Sequence, residues 1–222
     1  MKNKLLTLLL CILAATFVVQ AQTAPSKPDD QIKPENSPKV SYQELLTKLK
    51  GGDTNIDYKA LRMAFAETKD YSYDGQDKKE REKMMKPFGE KNYKEALKQA
   101  DKILEKNYVD ANAHQIAYLA SKELKDDKNA EFHKAVLVGL LSSIQDGNDG
   151  TSAKTAFQPI TIDEEYTLMK FLGYKSNSQS LKSIDGHRYD VFTAVNARTN
   201  ENTTLYFNID KIWEAENKQS GK

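Results

Sequence analysis

The chain has 222 residues, and its 33 Lys and Arg nearly cancel its 32 Asp and Glu, leaving a formal net charge of +1. With no basic stripe and no RNA-reading aromatic motif, that balance argues against nucleic acid as a partner. A single cysteine rules out an internal disulfide framework and a thiolate metal cluster.

The N-terminus reads as a cleaved signal peptide. Lys2 and Lys4 form a short positive region, and an apolar run from Leu5 to Val19 follows, interrupted by Thr7 and Thr16. Small or short residues around Ala21 suit signal peptidase, so cleavage is expected after Ala21. The run falls short of the ~20 apolar residues of a spanning helix, so no membrane span is expected after cleavage. Cys11 lies in the middle of this run behind Leu10, a large residue, which does not fit a lipid-modified cysteine. The mature protein is then free of thiols and slightly acidic, in the periplasm or outside the cell. Residues 22–39 carry Pro25, Pro28, Pro34 and Pro38 with almost nothing apolar, which predicts a disordered tether.

From Tyr42 to Ile144 apolar residues recur at helical spacing. Helices are predicted over 42–49, 57–67 and 78–86, the last stopping before Pro87. A further helix over 93–105 places Tyr93, Ala96, Leu97, Ala100, Ile103 and Leu104 on one stripe behind an Asn92 cap. Another runs over 111–125 behind an Asp110 cap. After a polar link at 126–129 comes a helix over 130–144, apolar around much of its girth and so expected at the centre of its domain. Asn92-Tyr93-Lys94-Glu95-Ala96 through Asp110-Ala111-Asn112-Ala113-His114 resembles a tetratricopeptide unit, with Tyr, then Ala three residues on, then a break before the next helix. The proline usual at the break is replaced by Asn107-Tyr108-Val109, and about one and a half units can be traced.

Asp146-Gly147-Asn148-Asp149-Gly150 predicts a flexible joint; its spacing departs from a calcium loop, with Thr151 at position six and Phe157 at position twelve. A short edge strand is expected over 157–162 because of Pro159. Next come a helix over 163–172 with capping-box spacing at Thr161 and Glu164, a turn at Asp185-Gly186, and strands over 189–195 and 203–209. The fold class is α+β: a helical-hairpin, tetratricopeptide-like half over 40–145, then a small antiparallel sheet with one helix over 146–213. Residues 214–222 are expected to be a disordered tail.

Several segments of this sequence carry a wider likeness. They are Asp57-Tyr58-Lys59-Ala60-Leu61-Arg62, Asn107-Tyr108 with Ala113-His114, Phe132-His133-Lys134-Ala135, and Gly150-Thr151-Ser152 before Thr155-Ala156-Phe157. Asp163-Glu164-Glu165-Tyr166, Gly186-His187 with Tyr189-Asp190-Val191, and Tyr206-Phe207-Asn208 complete the set. From Ile56 to Ile209 the chain resembles a bacterial family known as domain of unknown function 4919. The resemblance implies an exported protein with helices followed by a small sheet, and it brings no activity.

No nucleophile elbow, phosphate-cradling glycine loop or zinc-protease motif occurs, and no cofactor and no metal is expected. His114 and His133 would lie on two helices of one hairpin. With the turn centred between Asp127 and Lys128, their heights differ by roughly 11 Å, which separates them. His187 reads as a hairpin residue. Glu164 and Glu165 point about 100° apart and read as first-turn acids favoured by the helix dipole. Arg62 stands within an apolar stripe, close in sequence to Tyr58, Tyr71 and Tyr73. Arg62, Tyr73, His114 and His133 are therefore the candidate binding residues, with no catalytic set. The functional expectation is a binding or adaptor module with a protein or peptide partner in the envelope. The rival is an enzyme or small-ligand binder at the joint between the halves, gathering Arg62, His114, His133 and Asp163.

Overall fold

In the computed structural model, residues 41–75 and 78–221 are described. The signal peptide expected at 1–21 and the tether expected at 22–39 lie outside them. The helical stretch comprises α1 (Tyr42–Lys50), α2 (Tyr58–Phe65), α3 (Lys78–Gly89), α4 (Tyr93–Lys106), α5 (Ala111–Glu123) and α6 (Asp127–Gln145). A 3-10 turn (Ala153–Thr155) and α7 (Ile162–Phe171) lead into β1 (Tyr174–Ile184), β2 (His187–Asn196) and β3 (Asn202–Asn208), and α8 (Asp210–Gln219) closes the order. The fold is α+β, as expected.

Side-chain caps set most of the helix starts. Ser41, Asp57, Asn92, Asp110, Asp126 and Thr161 each accept the backbone N–H of the residue three positions on. Each bond satisfies one of the donors that a first turn leaves unpaired. Asp126 as a cap starts α6 at Asp127, three residues before the expected Ala130. Helix α3 runs through Pro87 instead of stopping at it. Met84, fully buried, and Phe88, half-buried, lie four residues apart on α3 and pack against α4 and α5. That contact outweighs the lost proline N–H, and the turn closes with Asn92 N–H donating to the Pro87 carbonyl at 2.8 Å.

The sheet is antiparallel in the order β1-β2-β3. Asp185 and Gly186 make the tight β1–β2 turn, both with positive φ (52° and 83°), as a two-residue hairpin requires. The strand expected over 157–162 reduces to one residue: Phe157 forms a parallel bridge to Phe207, donating to the Tyr206 carbonyl and accepting from Asn208 N–H. That bridge occupies the outer edge of β3. Strand β1 lies outside the expected strands, and the tail expected at 214–222 is instead mostly the second half of α8. Ile212 of α8 is buried in the main core, and Trp213 lies under the Arg188 guanidinium at 4.5 Å.

The change from helix to sheet near residue 146 separates element types without separating cores. One buried cluster combines Leu45 and Leu49 of α1, Leu61 and Phe65 of α2, Leu140 and Ile144 of α6, Leu168 of α7, and Phe192, Leu205 and Phe207 of the sheet. A second core lies between α3, α4 and α5. As expected for a central element, α6 buries Val136, Leu137, Leu140, Leu141 and Ile144, although Val138 faces solvent. Among the described residues no helix is long and apolar enough to cross a membrane.

Candidate functional site

The first turn of α7 organises the polar interior. Thr161 caps it, and the helix dipole favours the three acids that follow. Because successive helical residues point about 100° apart, each acid meets a different element. Asp163 pairs with Arg81 on α3, and Glu164 pairs with Arg62 on α2. Glu165 faces Asp190 on β2.

The Arg62–Glu164 pair is bidentate. Nε donates to Oε1 at 2.8 Å and Nη2 to Oε2 at 2.5 Å, and the guanidinium also donates to Ser143 Oγ (3.3 Å) and the Gln158 carbonyl (2.8 Å). Glu164 Oε2 further accepts Ile160 N–H at 2.7 Å. Arg62 is 1% exposed and Glu164 7%. Arg62 is therefore sealed inside the protein and lines no binding surface, contrary to expectation. Its neighbouring tyrosines seal the core too. The Tyr58 ring lies where a side chain at Gly139 would stand, and Tyr71 Oη donates to the Ile160 carbonyl. Tyr73 is half-buried against the main core, and its carbonyl accepts Ile162 N–H at 2.9 Å. The three tyrosines close in sequence to Arg62 are thus taken up by packing.

Glu165 is fully buried. As two carboxylates, Glu165 and Asp190 could not bond each other, and neither Glu165 oxygen would have a hydrogen-bond partner. With a proton on Glu165, the pair becomes a hydrogen bond from Glu165 to Asp190. Burial, then the charges of Asp190 and Glu164, push the Glu165 carboxyl up to about 9, so this form holds at neutral pH. Asp190 in turn accepts Gln179 Nε2 at 2.6 Å, and Gln179 Oε1 accepts Tyr166 Oη at 2.8 Å. A polar chain thus runs from the buried acid to exposed residues of α7 and β1.

This arrangement predicts that Glu165→Gln stabilises the protein. The folded-state value lies above the ordinary 4.5, so the fold holds a proton that the unfolded chain releases. Glu165's contribution to stability therefore falls as pH rises from about 4.5 through about 9. At pH 7 the cost is about 3 kcal/mol, and an amide avoids it while still donating to Asp190. Urea unfolding should find the variant more stable at pH 7 and equal to the native chain near pH 4. Equal stability at both pH values would refute a proton held on Glu165.

The histidines are the largest departure from the sequence reading. His114 Nδ1 and His133 Nδ1 are 2.9 Å apart, and both residues are buried. Helix α5 ends at Glu123 and α6 begins at Asp127, so the turn centres near Lys125. His114 is then eleven residues from the turn and His133 eight, a height difference of about 4.5 Å. The 11 Å separation expected for a turn between Asp127 and Lys128 does not hold, because the Asp126 cap brings the turn forward to Lys125. His114 Nε2 lies 3.0 Å from the Tyr108 carbonyl, which can only accept, so that nitrogen carries the proton. His114 Nδ1 is then an acceptor, and His133 Nδ1 donates to it.

These clusters do not converge. Arg62 contacts Glu164, Ser143 and Gln158, and the His pair contacts Tyr108, so the two sets share no residue. Asp163 borders a cleft with Asp110, Asn112 and Thr167, but its volume of about 20 Å³ suits one water. His187 is exposed, with Nδ1 2.6 Å from Asp210 Oδ2, where it ties the β1–β2 hairpin to α8.

The segments whose likeness was read from the sequence contribute Arg62, His114, His133, the three acids of α7 and Asp190. A family model matches residues 27–218. The chain belongs to the family described as Domain of unknown function (DUF4919). No curated protein and no solved structure matches it. In this DUF4919 chain the matched region takes in every described helix and strand except the last residue of α8.

Proposed function

We propose that the protein is an exported binding module of the cell envelope that docks a partner along the free edge of its sheet. The carrying observation is β1: eleven residues paired to β2 on one side, with no strand on the other among the described residues. Nine consecutive residues, Lys175 to Ser183, are exposed. Such an edge offers a row of backbone donors and acceptors to an incoming strand. The opposite edge is occupied by Phe157, which makes β1 the place for a partner. The leader-like N-terminus and proline-rich stretch support export and tethering. The consecutive packing of α3, α4, α5 and α6 supports a tetratricopeptide-like scaffold behind the sheet.

Affinity capture under mild cross-linking from an envelope extract, with the chain from Gln22 onward, tests this. Along an antiparallel strand, adjacent residues direct their N–H groups to opposite sides. One of the variants Ser180→Pro and Leu181→Pro therefore removes an outward N–H while leaving the β1–β2 ladder intact, and its melting temperature identifies it. A stoichiometric partner held by the native chain and lost by that variant is the expected result. A partner held equally by both, or none held by either, overturns docking at this edge.

A further inference from the structure

The side chains of β1 say which strand its edge accepts. The register gives Lys175↔Val195, Ser176↔Ala194, Ser180↔Val191, Leu181↔Asp190 and Lys182↔Tyr189, with a bulge at Asn177. Ala194 and Phe192 belong to the main core, whereas Tyr189 and Val191 belong to the cluster on the sheet's other face. Directly paired residues lie on the same face of a sheet. Ser176, Gln179 and Leu181 therefore share the core-side face, and Lys175, Ser178, Ser180 and Lys182 share the outer face. The bulge keeps both lysines on that outer face despite their odd spacing in sequence.

The two faces differ in chemistry. On the core side Leu181 is 54% exposed, and Tyr166 of α7, 47% exposed, holds Gln179 two residues away. These are large apolar surfaces beyond the cover of the helices. On the outer side stand the two lysines, and residues 166–184 contain Lys170, Lys175 and Lys182 with no Asp or Glu.

We infer that the edge of β1 accepts an acidic, extended segment of a partner protein, with acids and apolar residues alternating along it. This rests on the edge-docking reading above and adds the partner's chemistry. An added strand sends alternate side chains to the two faces. Those on the outer face meet Lys175 and Lys182, about 20 Å apart at about 3.3 Å per residue, and so favour carboxylates. Those on the core-side face meet Leu181 and the Tyr166 ring, and so favour apolar groups. A second copy of this chain is the poorer occupant. Two β1 strands joined about a two-fold axis would bring four lysines onto one face, and like charges across a strand pair are destabilising.

The test titrates three synthetic ten-residue peptides into the full chain from Gln22, followed by backbone NMR of β1. One alternates glutamate and valine, one lysine and valine, and one serine and valine. The glutamate peptide should bind at least tenfold more tightly than the others, shift the amides of 175–183, and weaken as salt rises. The charge-reversal variant Lys175→Glu/Lys182→Glu should invert the preference toward the lysine peptide. Equal binding of all three peptides at β1 overturns the acidic partner while leaving edge docking intact. Absence of any shift in 175–183 overturns both, and dimerisation of the chain through β1 assigns the edge to a second copy and overturns the proposal.

Discussion

Replacing Arg62 with methionine should destabilise the protein by about 3–5 kcal/mol, because it leaves the Glu164 carboxylate buried without its counter-charge. Glu164 would retain the Ile160 N–H, one neutral donor in place of a bidentate guanidinium. Ser143 Oγ and the Gln158 carbonyl would lose donors as well. Set against the 5–15 kcal/mol total typical of a domain, this is a large fraction. The double variant Arg62→Met/Glu164→Leu removes both charges, and such replacements often recover most of the loss. Urea unfolding of the two single variants and the double gives the coupling directly. A loss below about 1 kcal/mol for Arg62→Met would mean that water or another group reaches Glu164, and the sealed pair described above would be wrong.

The Arg62 case illustrates how far the sequence could be read. An arginine inside the apolar stripe of α2 is visible in the sequence as an anomaly, but the sequence does not say what it pairs with. Its partner lay 102 residues away, and nothing local distinguished Glu164 from an ordinary first-turn acid. Helices with strong stripes and caps, such as α4 and α5, were legible nearly to the residue because the signal is local. Strand β1 was not, because an exposed edge strand needs no apolar alternation: Ser, Asn and Gln serve where neither face is buried. Helix α8 was missed for a similar reason, since it anchors chiefly through Ile212 in an otherwise polar run. Tyr166-Gln179-Asp190-Glu165 was beyond sequence reasoning, because it requires the β1–β2 register and the docking of α7 on the sheet together.

Acidification should unfold the protein through the His114–His133 pair. Burial, then the neighbouring ring of His133, hold His114 down to about 3, and burial holds His133 down to about 4, against an ordinary 6.5. Both rings are neutral in the fold and become protonated in the unfolded chain, which therefore binds more protons below pH 6.5. The pair's contribution is fully present above about 6.5 and is lost as pH falls toward 3–4. By pH 4, well below the ordinary 6.5 at which both rings titrate in the unfolded chain, the loss is on the order of 6 kcal/mol for the two rings together. The geometry gives the same direction independently of titration: a proton on His114 Nδ1 would set two N–H donors against each other 2.9 Å apart. His114→Gln keeps a donor for the Tyr108 carbonyl and an acceptor for His133 while removing one titrating group. The variant should lose markedly less stability between pH 7 and pH 4 than the native chain. Nitrogen-15 NMR of the native protein should show His114 protonated on Nε2 and His133 on Nδ1, with neither ring titrating near 6.5 while the fold persists. A ring that titrates there in the folded state would place it in contact with water and remove the acid sensitivity argued for the α5–α6 hairpin.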